Sequence, residues 1–222
     1  MKRYLPFIII GAVALTTLGG GTMLYWAKRP HLLVIPKDKI AGARANDASM
    51  HIRGSRDAPV TLEEFGDFQC PPCRLIAGFI DQLVEEYHPH LRIVFRNFPL
   101  PSHKHAHDAA LAAEAAGLQG SFWEMHDVLY REQVVWSKAG NAAELFNSYA
   151  VMLKLDLERF KKDVAGEKAK ARVAADVERG QSLGVKTTPT IFINDRELAA
   201  DKRTPNGVRA MIDAALQAQP TR

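Results

Sequence analysis

Both cysteines of this 222-residue chain stand two residues apart, at Cys70 and Cys73. The stretch that ends in them, VTLEEFGDFQCPPC from Val60, constrains the fold more than any other. Val60 to Phe65 is β-prone and apolar enough for a buried strand, and Gly66 to Gln69 reads as a short turn. Leu75, Ile76, Phe79, Ile80, Leu83 and Val84 then recur at helical spacing, which predicts a helix opening at Cys70. Pro71 and Pro72 suit its first turn, where a backbone N–H has no intrahelical partner, and would break it anywhere later. Cys70 is therefore placed near the N-cap and Cys73 one turn behind. A thiolate at a helix N-terminus meets the positive end of the dipole, so Cys70 is expected to ionise below the free-thiol value of about 8.5 and to be the better nucleophile. Cys73 lies close enough to close a disulfide with it, or to attack a mixed disulfide held on it. Because neither proline carries an N–H, Cys73 offers the nearest ring-free amide to the Cys70 sulfur. The lowering is accordingly expected to be smaller than in a motif with histidine between the cysteines.

A C-x-x-C pair is also half of many zinc sites, but such a site needs four ligands and the chain holds no third cysteine. His103, His105 and His107 are the nearest candidates. Their position and spacing match no finger pattern, so a redox dithiol without a metal is the favoured reading. The net charge of +4 is spread thinly. The basic residues from Lys154 to Arg179 are interleaved with Asp156, Glu158, Asp163, Glu167, Asp176 and Glu178, as on solvated helix faces. Clustered basic and aromatic residues are missing, so nucleic acid is not an expected partner. Nor is there a flavin, nucleotide or haem signature, so no cofactor beyond the dithiol is expected.

Residues 5–27 contain no charge, and that length spans a bilayer with some tilt; Lys2 and Arg3 precede it. A cleaved signal peptide would use the apolar run from Phe7 to Leu18 and cut after Gly21. An uncleaved anchor would keep the whole stretch, with Tyr25 and Trp26 at an interface. The apolar run continuing past Gly21 favours the anchor. Lys28, Arg29, Lys37, Lys39 and Arg44 follow it, against the orientation that a dithiol outside the cytoplasm requires, but long domains translocate largely regardless of such charges. Residues 28–49 carry Pro30, Pro36 and Gly42 and read as a linker.

Met50 to Arg53 forms a first short strand in this reading. The helix from Cys70 ends near His88, before Pro89, and Leu91, Ile93 and Phe95 alternate with Arg92, Val94 and Arg96 as a strand. Strand, helix and strand make a βαβ unit with parallel pairing. About eighty residues of helical pattern follow. They include an alanine-dense stretch from Ala106 to Ala116, a helix from Ser121, and others over residues 142–153, 157–164 and 168–183, closed by Gly184. Trp123, Phe146 and Phe160 are read as core of this piece. Strand character returns at Pro189 to Ile193, turns at Asn194 and Asp195, and gives way to a last helix capped by Thr204 and Pro205.

Three stretches together carry a resemblance: F-x-C-P-P-C at Phe68 to Cys73, T-T-P-T at Thr187 to Thr190, and QGSFWEMHD at Gln119 to Asp127. The chain resembles the DsbA-like thiol-disulfide oxidoreductases of the thioredoxin superfamily from about Met50 to Ala218. The resemblance implies an α/β thioredoxin fold with an inserted all-helical domain, preceded by a transmembrane helix or signal peptide. The division is then 1–27 anchor or signal, 28–49 linker, 50–102 with 184–218 thioredoxin-like, and 103–183 inserted. Pro189 falls where the family has a cis-proline facing the disulfide, with Thr188 offering backbone groups to an extended substrate. Glu64 falls where the family has a buried acid that exchanges a proton with the resolving cysteine; the alternative is that Glu63 or Glu64 faces solvent at a strand edge. The family's activity implies cysteine-containing exported polypeptides as substrates, a membrane redox partner, and an inner-membrane protein with its catalytic domain in the periplasm or exterior, or a periplasmic one if the signal is cleaved. Pro71-Pro72 lacks the histidine usual in strongly oxidising members, which leaves a membrane-fed reductase or isomerase as the rival. A non-catalytic peptide-binding module is the rival of another class.

Overall fold

The computed structural model describes residues 51–218; the expected anchor at 5–27 and the linker at 28–49 lie outside the described residues. The fold is α/β and thioredoxin-like. Strand β2 (Val60–Gly66) lies in the middle of a five-stranded sheet ordered β1-β3-β2-β4-β5. It runs parallel to β3 (Leu91–Asn97), with Leu62 opposite Ile93 and Glu64 opposite Phe95. Helix α1 (Pro71–Glu86) makes the crossover between them, the expected βαβ unit. Strand β1 (His51–Gly54) closes one edge, antiparallel to β3. On the other side β4 (Thr190–Ile193) runs antiparallel to β2 and pairs with the two-residue β5 (Arg196–Glu197). The β4–β5 turn falls on Asn194 and Asp195, both with positive φ (46° and 65°), the conformation that two-residue hairpins require and that Asn and Asp tolerate.

Six helices separate β3 from β4: α2 (Ala106–Gly117), α3 (Phe122–Arg131), α4 (Gln133–Trp136), α5 (Ala142–Met152), α6 (Leu157–Ala165) and α7 (Glu167–Ser182). The chain ends in α8 (Pro205–Gln217), capped by the Thr204 hydroxyl, which accepts from the Gly207 amide at 3.2 Å. Helix α2 is buried along almost its whole length, and its alanines let α3, α5, α6 and α7 approach closely. Phe146 and Phe160 are buried as expected. Trp123 is only half-buried and lies under the Arg53 guanidinium, 4.3 Å from the ring centroid. The structure departs from the expected boundaries at several ends. Strand β1 runs on to Gly54, helix α1 ends at Glu86 with Tyr87 as its C-cap and a cis His88–Pro89 bond beyond, α5 ends one residue earlier and α6 one later, α7 is shifted one residue earlier, and α4 was not foreseen.

Successive strand residues point to opposite faces, and β2 is covered on both. Val60, Leu62 and Glu64 face α1 and α8, in a core with Ile76, Ile80, Leu83, Ile191, Val208 and Ile212. Glu63 and Phe65 face α7 instead. There Glu63 accepts from Arg96 at 2.9 Å and from Arg179 at 2.7 Å, Arg96 reaches Asp176 at 3.0 Å, and Asp176 also takes the Asn97 amide at 2.9 Å. Asn97 Nδ2 carries the chain on to Glu114 of α2 at 2.7 Å, and Glu114 meets His51 of β1 and Arg172 of α7. This buried polar network ties the sheet to the helical segment. Removing one partner leaves charges unpaired, so Arg96→Met is expected to destabilise the protein by about 3 kcal/mol or more in urea unfolding. A change below about 1 kcal/mol would show that the network does not hold the two parts together.

Candidate functional site

Cys70 is the N-cap of α1 and Cys73 its third residue; both are buried, free thiols. The turn before them is closed by the Cys70 amide donating to the Asp67 carbonyl at 3.0 Å. Thr188 faces the pair through its cis bond to Pro189, and the Cys70 thiol donates to the Thr188 carbonyl at 3.4 Å. Thus Phe68, Cys70, Pro71, Pro72, Cys73, Thr188 and Pro189 are gathered at one end of the sheet, with Phe68 buried below, its ring 5.2 Å from that of Phe95 and 5.0 Å from that of Tyr130.

The two thiols differ electrostatically. A hydrogen bond from the Cys73 thiol favours the Cys70 thiolate, burial opposes it, and Thr188 and the Cys73 amide favour it again, bringing Cys70 down to about 6. The buried Thr188 hydroxyl has no hydrogen-bond partner among the described residues. Cys73 is pushed well up, first by burial, then by its bond to Cys70 and by the charge of Glu64. The outer thiol is thus the nucleophile at neutral pH, and the inner one is ready to take up a proton.

Neither Glu63 nor Glu64 faces solvent, so the strand-edge alternative fails for both. Arg179 and Arg96 outweigh the burial of Glu63 and hold it below the ordinary carboxylate range. Glu64, 1% exposed, is pushed up to about 8 by burial and by the charges of Cys70 and Asp81, and its Oε1 has no partner. One carboxylate is an ion-paired anchor, the other a neutral acid beneath the dithiol.

Several neighbours were not legible in the sequence. Gln133, on the unforeseen α4, donates its side-chain N–H groups to the carbonyls of Phe68 at 2.7 Å and Cys70 at 2.9 Å. Nothing in its sequence context signals this. Asp67 accepts from the Gln69 amide at 2.7 Å and the Leu100 amide at 2.8 Å, and an aspartate three residues before a helix cap does carry a turn signal. Tyr130 is buried with an unpartnered hydroxyl 3.0 Å from where a side chain on Gly66 would begin, a space that only glycine leaves. Burial, and then the charges of Cys73 and Glu64, raise its pKa well above the ordinary phenol value. The three histidines do not converge: His103 binds Asp67, His105 binds the Ala139 carbonyl, and His107 is exposed. Beside the thiols lies a cavity of about 370 Å3, lined by Pro72, Leu75, Ile76 and Phe79 of α1 and by Pro189 and Arg203 across from them. Leu75 is 74% exposed at its rim, and Arg203 fixes the far wall by donating to the Pro189 carbonyl at 2.8 Å.

A thioredoxin fold that buries a C-x-x-C at a helix N-terminus opposite a cis-proline defines a thiol-disulfide oxidoreductase of DsbA-like type. A family profile described as Thioredoxin matches residues 46–214, and the chain belongs to that family. Its structure is similar to a thioredoxin-like oxidoreductase from Silicibacter pomeroyi (27% identity, TM-score 0.67, covering 79% of this chain and 96% of that one). It is also similar to oxidised BdbD from Bacillus subtilis (25%, TM-score 0.68, 77% and 94%). In sequence it is 43% identical over 147 residues to a Na(+)/H(+) antiporter NhaA 1 from Salinispora arenicola, and 39% identical over 169 residues to NhaA 3 from Salinispora tropica. These matches cover 66% and 76% of this chain but only 22% and 24% of those proteins. Among the described residues no helix is long and apolar enough to cross a membrane.

The neutral Glu64 has a consequence for stability. From pH 4.5 to about 8 the unfolded chain has this carboxyl ionised while the reduced, folded one keeps it protonated, so the contribution of Glu64 is lost as pH rises through that window. Cys70, lowered in the folded state, acts in the opposite sense above pH 6, so the clean reading is a difference between proteins. Relative to wild type, reduced Glu64→Gln is expected to gain stability steadily from pH 4.5 to 8, by on the order of 4 kcal/mol at the upper end. Urea midpoints that run parallel across that range would show that Glu64 ionises normally.

Proposed function

We propose that the chain exchanges disulfides with the cysteines of exported polypeptides, through a mixed disulfide on Cys70 that Cys73 resolves. The observation that carries this reading is the asymmetry of the pair: an outer thiol at about 6 facing the Thr188 carbonyl, and an inner thiol raised above a buried acid. In the oxidising direction a substrate thiolate attacks the Cys70 sulfur and the Cys70–Cys73 bond breaks. Cys73 leaves as a thiolate and takes the Glu64 proton. A second substrate thiolate then attacks the substrate sulfur of the mixed disulfide and releases the Cys70 thiolate. The substrate loses two electrons to form its disulfide, and the enzyme gains them as a dithiol. The reductive direction is the reverse, with Cys73 attacking the mixed disulfide.

The groove beside the dithiol supports a polypeptide substrate. The wall from Leu75 to Phe79 takes apolar side chains, while backbone groups at Thr188 pair with an extended chain that lies against Pro189. No cofactor or metal takes part. A redox partner in the membrane restores the dithiol or disulfide after each turnover, and the apolar residues 5–27 hold the protein there with its catalytic domain outside the cytoplasm.

Cys70→Ser is expected to abolish exchange, and Cys73→Ser to accumulate mixed disulfides with clients, read by mass after thiol trapping; equal, partial loss in both would overturn the assignment. Equilibration with glutathione gives the direction: a midpoint near about −120 to −180 mV makes the protein a disulfide donor, and one near about −270 mV a reductant fed by the membrane.

A further inference from the structure

His103 stands on the segment leading from β3 into the helical insertion, and its Nδ1 donates to Asp67 Oδ2 at 2.7 Å. The Asp67 side chain has no exposed surface, whereas a quarter of the His103 side chain meets solvent. The other bonds to Asp67 come from backbone amides, of Gln69 and Leu100, so among the described residues His103 is the one basic side chain bonded to it. The Asp67 carboxylate opposes the Cys70 thiolate. Among the described residues, Cys73 on α1, Glu64 on β2 and Tyr130 on α3 also lie around the dithiol, and burial holds all three in their neutral forms at neutral pH, while Asp81 on α1 acts on Glu64. Asp67 is therefore a charged group that acts on Cys70, and His103 is the basic side chain bonded to it that can cancel that charge while still reaching solvent.

We propose that His103 is a positioning residue of the dithiol that sets the charge facing Cys70: protonated it neutralises Asp67, and neutral it leaves a negative charge beside the sulfur. The inference rests on the reading of Cys70 as the exchanging thiol. A carboxylate that must stay buried without an arginine has only hydrogen-bond donors to stabilise it, and a histidine adds a positive charge that responds to pH. Stabilising the Cys70 thiolate stabilises the dithiol against the disulfide, so the pair becomes more oxidising when His103 is charged and more reducing when it is not.

The test is thiolate titration of Cys70 by absorbance in full-length His103→Gln, alongside its equilibrium with glutathione, in which enzyme dithiol and oxidised glutathione give enzyme disulfide and two glutathione thiols. The Cys70 titration is expected to move up by about half to one unit, and the equilibrium near pH 7 to shift about three- to fivefold toward the enzyme disulfide. His103→Arg, which keeps a cation against Asp67, is expected to restore wild-type values. In an Asp67→Asn background the effect of His103→Gln is expected to vanish. An unmoved Cys70 in His103→Gln, equal shifts in the Gln and Arg variants, or an undiminished shift without the Asp67 charge would each overturn the proposal. Should Asp67→Asn fail to fold, the Gln and Arg comparison decides alone. If wild-type protein fails to exchange with glutathione, the functional reading fails, while the thiolate titration still tests the charge coupling.

Discussion

A thiol pair that changes charge while almost wholly buried depends on the turn that delivers it, because no water is at hand to satisfy that turn's polar groups. The partners of residues 67–70 come largely from the inserted segment. Gln133 covers the carbonyls of Phe68 and Cys70, the Leu100 amide and the His103 ring hold Asp67, and the Gln69 side chain accepts from the His105 amide at 2.7 Å. The helical insertion is thus the second wall of the site. Without it, several buried backbone and side-chain groups would each cost about 1–3 kcal/mol, a large part of the stability of a domain this size.

The adjacent carboxylates of β2 show how far pairing decides the fate of a side chain. A strand sends Glu63 and Glu64 to opposite faces, and both faces are dry. On one face two arginines make ionisation of Glu63 favourable. On the other, among the described residues, no cation is bonded to Glu64, and the inexpensive alternative to burying an unpaired charge is to keep the proton. A structural anchor and a reservoir for one proton are thereby built from the same residue type at neighbouring positions, with Phe95 across the strand pair from the second of them.

The parts legible in the sequence are those governed by local rules. The C-x-x-C with its prolines placed the helix start, alternation placed β3, Asn194 and Asp195 placed the hairpin, and Thr204 placed the last cap. The placement of Pro189 and Glu64 came through resemblance, since neither a cis bond nor a buried acid has a local signature. What escaped depends on contacts across long separations. Gln133 reaches Cys70 over 63 residues and His103 reaches Asp67 over 36, so nothing in their immediate neighbours marks them. Helix α4 spans only four residues, too short to show a period. The three histidines suggest metal ligands by their spacing, yet His103 and His105 are committed to different partners and His107 is exposed.

The double proline narrows the set of groups that tune Cys70. A helix N-terminus ordinarily offers several free amides to a thiolate on its cap. Here the first two helical positions have none to give, and the Cys73 amide, the Cys73 thiol and Thr188 supply the favourable contacts instead. Thr188 is 118 residues from Cys70, on the far side of the insertion, and is held by the β4 end of the sheet. In the proposed function, an extended substrate pairing with the backbone at Thr188 approaches the sulfur beside the side chain that favours its thiolate. Substrate docking and thiol activation are then coupled through one residue, and the charge of the Asp67–His103 pair acts on the same sulfur from the opposite end of the turn.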